Sequence, residues 1–193
     1  MGKLIYLITT SIDGYVADKN GDFGWTQPSE EELAFINDIE SRVGTFLLGR
    51  HMYETLAVWD TIPTDGPSDG MNHFAKIWRA AKKIVYSTSL SDVSTANTIV
   101  EHIFKPGTVK SLVAESDKDF SIGGPHLAAE AIKAGLVDEY HHFIAPPDGT
   151  AIYSRLSVMA QITCKPIVCQ QSGDFHVSTV LSSLLLFFLF QMK

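Results

Sequence analysis

From Leu4 to Ala145, short apolar runs of strand length alternate with segments whose apolar residues recur at helical spacing. That alternation constrains the fold more than any other feature. Strands separated by helical crossovers must run parallel, and both faces of such a sheet are then covered by helices. The strand-like runs are residues 3–9, Thr45–Gly49, Lys83–Ser87, Thr98–Val100, Phe120–Ile122 and Val137–Ala145. Between them the pattern predicts a helix from Ser29, with Leu33, Phe35, Ile36, Ile39 and Val43 on one face. Shorter helices are predicted from Arg50, over His73–Ala81, and over His126–Ala134, where Gly135 supplies the stop. Thr61–Gly70, with two prolines and two glycines, reads as a loop. The expectation is one α/β domain with a mainly parallel central sheet flanked by helices, spanning residues 1–146.

Composition narrows the function classes. A net charge of −7 argues against nucleic-acid binding, because an acidic surface repels phosphate. It does not exclude an anionic cofactor, which a helix N-terminus and a few local groups can hold. The cysteines are Cys164 and Cys169, with His176 nearby; they form no zinc motif and no disulfide framework, so no metal is expected. The run after Lys3 is too short and too polar in its continuation for a signal peptide, so a cytoplasmic protein is expected. Val180–Phe190 carries no charge but has eleven residues, where a bilayer span needs about 20, and no membrane partner is expected.

Four constellations could carry chemistry. Gly123-Gly124-Pro125 lies between a strand and a helix, where backbone can approach a ligand and the helix N-terminus favours phosphate; a tight turn would need the same glycines. Gly49-Arg50 ends a strand and opens a helix; the arginine either grips a phosphate or solvates the helix start. Ser87-Thr88-Ser89 places hydroxyls at a strand's carboxyl end, as a phosphate contact or a polar turn. Glu32 shares a helix face with Ile36, Ile39 and Val43, as an inward carboxylate, or else closes a capping box with Ser29.

In their order along the chain these features resemble the dihydrofolate reductase fold. The closer resemblance is to the group sharing that fold with the C-terminal reductase domain of the bifunctional deaminase-reductase of riboflavin biosynthesis. The blocks that carry it are Lys3–Tyr6 with Ser11–Ala17, Gly49–Glu54, Lys83–Ser87, Ile122–Ala128 and Ala134–Tyr140. The resemblance implies NADPH as cofactor. Its adenosine phosphate end would fall to Gly49, Arg50, Ser87 and Thr88. Its pyrophosphate and nicotinamide would lie against Gly123 and Gly124, a pair often joined by a cis peptide in that family, with Ile122 and Pro125 flanking. Glu32 would occupy the place of the acid that supports protonation in folate reductases. The implied activity is hydride transfer to a pteridine- or pyrimidine-like heterocycle, of the dihydrofolate reductase or phosphoribosylaminouracil reductase type. A nucleotide-binding or structural protein of the same fold without turnover is the competing expectation, and a homodimer is compatible with either.

Two departures stand out. Riboflavin reductases usually place a glutamate before the glycine pair, where this chain has Ile122, as folate reductases do. After Ala145-Pro146 the family's Gly-rich loop and final antiparallel strand pair are not recognisable in Pro147-Asp148-Gly149-Thr150 and onward. Residues 147–193 therefore read as an atypical tail, of the kind a shifted frame, a mis-joined exon or a genuine replacement would leave, with closing strands atypical or missing. Gln161–Val168 and Val177–Phe190 have the β-branched and aromatic content for two replacement strands.

Overall fold

The structure, a computed structural model, describes residues 1–11, 14–26, 28–145 and 162–164. The apolar run Val180–Phe190, Cys169, His176 and most of the 147–193 tail lie outside the described residues, as do Ile12 and Asp13. Among the described residues no helix is long and apolar enough to cross a membrane, and no cluster of His, Cys, Asp and Glu could hold a metal ion.

The elements in chain order are β1 (Leu4–Ser11), α1 (Glu30–Glu40), β2 (Val43–Gly49), α2 (Arg50–Leu56), α3 (Asp69–Ala80), β3 (Lys82–Tyr86), β4 (Thr98–Glu101), α4 (Pro106–Ala114), β5 (Asp119–Gly123), α5 (Pro125–Lys133), β6 (Glu139–Ala145) and β7 (Ile162–Cys164). They build one sheet in the order β4-β3-β2-β5-β1-β6-β7. The first six strands are mutually parallel, so the expected fold class is borne out.

Side-chain alternation along each strand feeds two cores. On one face Ile5, Phe46, Leu48, Val85 and Phe143 pack against Ile39 of α1, Tyr53 of α2, and Phe74 and Trp78 of α3. On the other, Leu4, Leu47, Ile84, Phe120 and Ile122 pack against Val109 and Val113 of α4 and Ala128 and Ala131 of α5. Burial on both faces is the reason these strands read as near-continuous apolar runs.

Some boundaries moved. α3 starts four residues before His73, because the Ser68 hydroxyl accepts the Met71 N–H and caps it inside what reads as loop. α1 ends at Glu40, so Val43 belongs to β2 and not to the helix face assigned to it. α4 was missed; its Pro106 opening and the Val109/Val113 spacing were its sequence signals. Of the closing part of the sheet, the described residues include one strand beyond β6. β7, inside the Gln161–Val168 window, has three residues and pairs antiparallel with β6, Tyr140 opposite Cys164 and His142 opposite Ile162.

This topology positions the site. The chain passes from β1 over β5 to β2, works outward through β3 and β4, then returns to β5 and crosses β1 to reach β6. Connections thus diverge around β2, β5 and β1, and a crevice opens outside the carboxyl ends of strands at such a divergence.

Candidate functional site at the carboxyl rim of the sheet

Gly49, the Ser87 turn and Gly123-Gly124 all leave the sheet at its carboxyl rim. Register places Leu48 beside Gly123 and Gly49 beside Tyr86. The two glycine turns nearly touch: a Cβ on Gly124 would stand 3.7 Å from the Gly49 nitrogen and 3.9 Å from its Cα. A Cβ on Gly49 would meet only Leu127, at 3.9 Å, so its Cα faces largely open space.

The glycine pair is required for two different reasons. Gly123 has no room beneath it: a Cβ would sit 2.9 Å from Leu48 Cδ2 and 3.0 Å from Met52 Cγ. Gly124 has the room, but its φ of +96° is a backbone state that L side chains rarely adopt. No cis peptide occurs among the described residues, so this pair is joined in trans. Ile122 is buried in the core and reaches the rim only through its backbone. Pro125 opens α5, leaving the N–H groups of His126 and Leu127 to face the rim from its first turn.

Arg50 is the first residue of α2 and is exposed. Its Nε donates to Glu54 Oε1 at 2.7 Å and its Nη1 to Ser89 Oγ at 2.9 Å. Arg50 beside it holds the Glu54 carboxyl below the usual carboxylate range. Ser87 is buried, and its hydroxyl accepts the Ser89 N–H at 3.2 Å and the Leu90 N–H at 3.0 Å. It therefore folds the turn that presents Thr88 and Ser89. The hydroxyl that reaches Arg50 is Ser89, which sequence reasoning placed in the tripeptide without singling it out. An open pocket lies beyond this turn, lined by Thr88, Ser89, Leu90, Ser91, Val100 and His102. His102 went unnoticed in the sequence, since a lone histidine past a short strand carries no signal. Tyr53 steadies the far end of the loop, its hydroxyl accepting from Ser94 N–H at 3.1 Å and Thr95 N–H at 3.4 Å.

Glu32 closes a capping box. Its Oε2 accepts the Ser29 N–H at 2.6 Å while Ser29 Oγ accepts the Glu32 N–H at 3.3 Å. The carboxylate that α1 does bury is Glu40, 5% exposed. Ser121 Oγ donates to its Oε1 at 3.0 Å and its Oε2 has no partner among the described residues. Burial pushes this carboxyl up to about 7. α1 also carries Phe35, 40% exposed, resting edge-on against buried Phe143 with ring centroids 6.0 Å apart. Phe143 is level with Thr9, near the carboxyl end of β1.

The RibD C-terminal domain family model matches residues 2–147. The chain belongs to that family, a family of reductases with the dihydrofolate reductase-type fold. Among solved structures, a protein from Shewanella sp. PV-4 named for riboflavin biosynthesis is similar at 21% identity, covering 77% of this chain and 78% of its own, with a TM-score of 0.55. A pyrimidine reductase-like protein from Corynebacterium diphtheriae is similar at 18% identity over 78% of this chain and 77% of its own, TM-score 0.51. Dihydrofolate reductase from Enterococcus faecalis, solved with NADP(H), is 19% identical over 74% of this chain and 70% of its own; its TM-score of 0.47 is too low to carry an argument. No protein of curated function matches the sequence.

Proposed function

We propose that the chain is an NADPH-dependent reductase that delivers hydride to a C=N or C=O bond of a pteridine- or pyrimidine-like heterocycle. The observation that carries the reading is the rim itself: two glycine turns in contact, beside an arginine whose guanidinium is already oriented by Glu54 and Ser89. Arg50 keeps Nη2 without a partner among the described residues, a donor available to a phosphate. Gly49 leaves open the space that a Cβ would fill. These residues fit a dinucleotide phosphate better than they fit a purely structural turn.

Bound there, the reduced nicotinamide would supply the hydride. The chain's own residues hold the phosphates and offer flat backbone at Gly49 and Gly124, and exposed Phe35, backed by buried Phe143, offers an apolar face on which a planar ring could rest. Ser87 acts by shaping the turn that carries Thr88 and Ser89. Ile122 and Pro125 fix the entry and exit of the glycine turn.

A proton must accompany the hydride, and Glu32 through a water is the proposed path. Glutamine at that helix position also completes a capping box. Glu32→Gln therefore removes the acid and keeps the cap: kcat should fall with no change in melting temperature. Unchanged kcat would move the proton source elsewhere.

The test of the main reading is NADPH binding and oxidation followed at the reduced-nicotinamide absorbance band with pteridine and pyrimidine substrates. NADPH should bind more tightly than NADH. Equal affinity would sink the phosphate assignment, and binding without oxidation would leave a nucleotide-binding protein of the same fold.

A further inference from the structure

The geometry points to His102 as a specificity residue, its ring supplying a second positive charge for the extra phosphate that distinguishes NADPH from NADH. The inference rests on the cofactor reading above and deepens it.

Three observations meet at this residue. First, His102 Nδ1 lies 2.9 Å from the backbone oxygen of Ser87. A carbonyl oxygen only accepts, so Nδ1 is the nitrogen that carries hydrogen there. The contact fixes the ring against the turn that presents Thr88 and Ser89. Second, His102, Thr88, Ser89 and Ser91 line one pocket with Leu90 and Val100. Three hydroxyls and an imidazole are donors suited to a phosphate monoester, and the pocket wall contributes no carboxylate. Third, Ser89 belongs both to this pocket and to Arg50, whose Nη1 donates to its hydroxyl at 2.9 Å. The pocket and the guanidinium are thus joined through one side chain.

The ring chemistry gives the consequence. With Nδ1–H committed to Ser87, the neutral ring has only an acceptor at Nε2, which a phosphate repels. The imidazolium donates from both nitrogens. A phosphate in the pocket therefore binds His102 in its charged form, and both Arg50 and His102 touch the turn, through Ser89 and Ser87. Asp92, beside Ser91 in the chain, accepts the Val93 N–H, Glu54 is bonded to Arg50, and Glu101 precedes His102. None of the three lines the pocket.

The test uses adenosine 2′,5′-bisphosphate and adenosine 5′-monophosphate as probes, with affinities measured calorimetrically on the full chain. Three proteins are compared with the parent: His102→Gln, His102→Lys and Arg50→Ala. The parent should prefer the bisphosphate. His102→Gln should lose on the order of tenfold in bisphosphate affinity, the worth of one charge-assisted contact, with monophosphate affinity unchanged. His102→Lys should keep most of the preference. His102 is exposed, so neither change should disturb folding, and a melt verifies it. If His102→Gln keeps the preference while Arg50→Ala erases it, this inference is overturned and the cofactor reading stands. If Gln and Lys lose the preference equally, the charge assignment is overturned. A parent protein without any preference would overturn the cofactor reading and this inference together.

Discussion

The two rims of the sheet each carry an exposed arginine, and they use it differently. At the amino rim Arg42 spans two carboxylates, Glu139 at 3.1 Å and Asp119 at 3.6 Å. Glu139 also takes Lys3 Nζ at 2.6 Å and stands 3.4 Å from His141 Nε2. The Lys3 backbone N–H donates to Asp119 at 2.9 Å and that of Leu4 to Asp138 at 2.8 Å. The His141 contact is local, but the other pairs join distant parts of the chain, and the network ties β1, β5 and β6 together. At the carboxyl rim, among the described residues, Arg50 meets one carboxylate and one neutral hydroxyl and keeps a donor in reserve. Around it stand exposed hydroxyls, bare glycine backbone and a helix N-terminus. A closed set of charges stabilises a fold; an unfinished set of donors is what the proposed phosphate site requires. Sequence reasoning singled out Arg50 from its glycine neighbour, and nothing local distinguished Arg42 as structural.

The comparison can be broken by mutation. The largest effect should come from Gly124→Ala. It should abolish cofactor binding, and the positive φ adds a folding cost of about 1–2 kcal/mol. Calorimetric titration with NADPH and a thermal melt measure the two parts. Normal binding in a folded variant would reduce the glycine pair to a turn.

Two carboxylates near the amino end of the sheet should give opposite pH dependences. Burial alone would raise Glu139, but hydrogen bonds from Lys3, Arg42 and His141 overcome it and hold the carboxyl at about 2. Its folded value lies below the unfolded one, so it contributes stability above pH 4.5 that is lost as pH falls through about 2. The magnitude is on the order of 2–3 kcal/mol. Glu40 is the reverse. Burial raises it to about 7, so the folded state holds a proton that the unfolded state has released. Its contribution is complete below pH 4.5 and is lost as pH rises through about 7. Glu40→Gln should remove that loss and raise stability at pH 8 by about 2 kcal/mol. Urea midpoints from pH 2 to 9 decide both, and a Glu40→Gln curve parallel to the parent between pH 4.5 and 7 would contradict the second.

The smallest pair is the arginines themselves. Arg50→Ala should cost about 1–3 kcal/mol of NADPH affinity, the value of a charge-assisted contact, and only about 0.5 kcal/mol of stability. Arg42→Ala should do the opposite, lowering the melting temperature and leaving NADPH affinity alone. An Arg42→Ala protein with weakened cofactor binding would show that the two rims are coupled through the sheet.

Much of this was legible before the fold was known. The alternation of strand and helix periods specifies a parallel sheet covered on both faces, because no other arrangement buries such runs. The Ser29–Glu32 spacing specifies a cap, because its bonds are local. Gly49, Arg50, Ser87 and Gly123-Gly124 could be selected as rim residues, because each sits where a strand ends. Tertiary structure alone decided the rest. Glu40 is buried only because α1 lays its last turn over Ser121 of β5, eighty-one residues away in sequence. Ser89, and not Ser87, faces Arg50 because the Ser87 hydroxyl is spent on its own turn. His102 joins the pocket because β4 ends beside β3. Local spacing determines which bonds a residue can make to its neighbours; which distant group stands opposite a side chain depends on how the crossovers stack the strands.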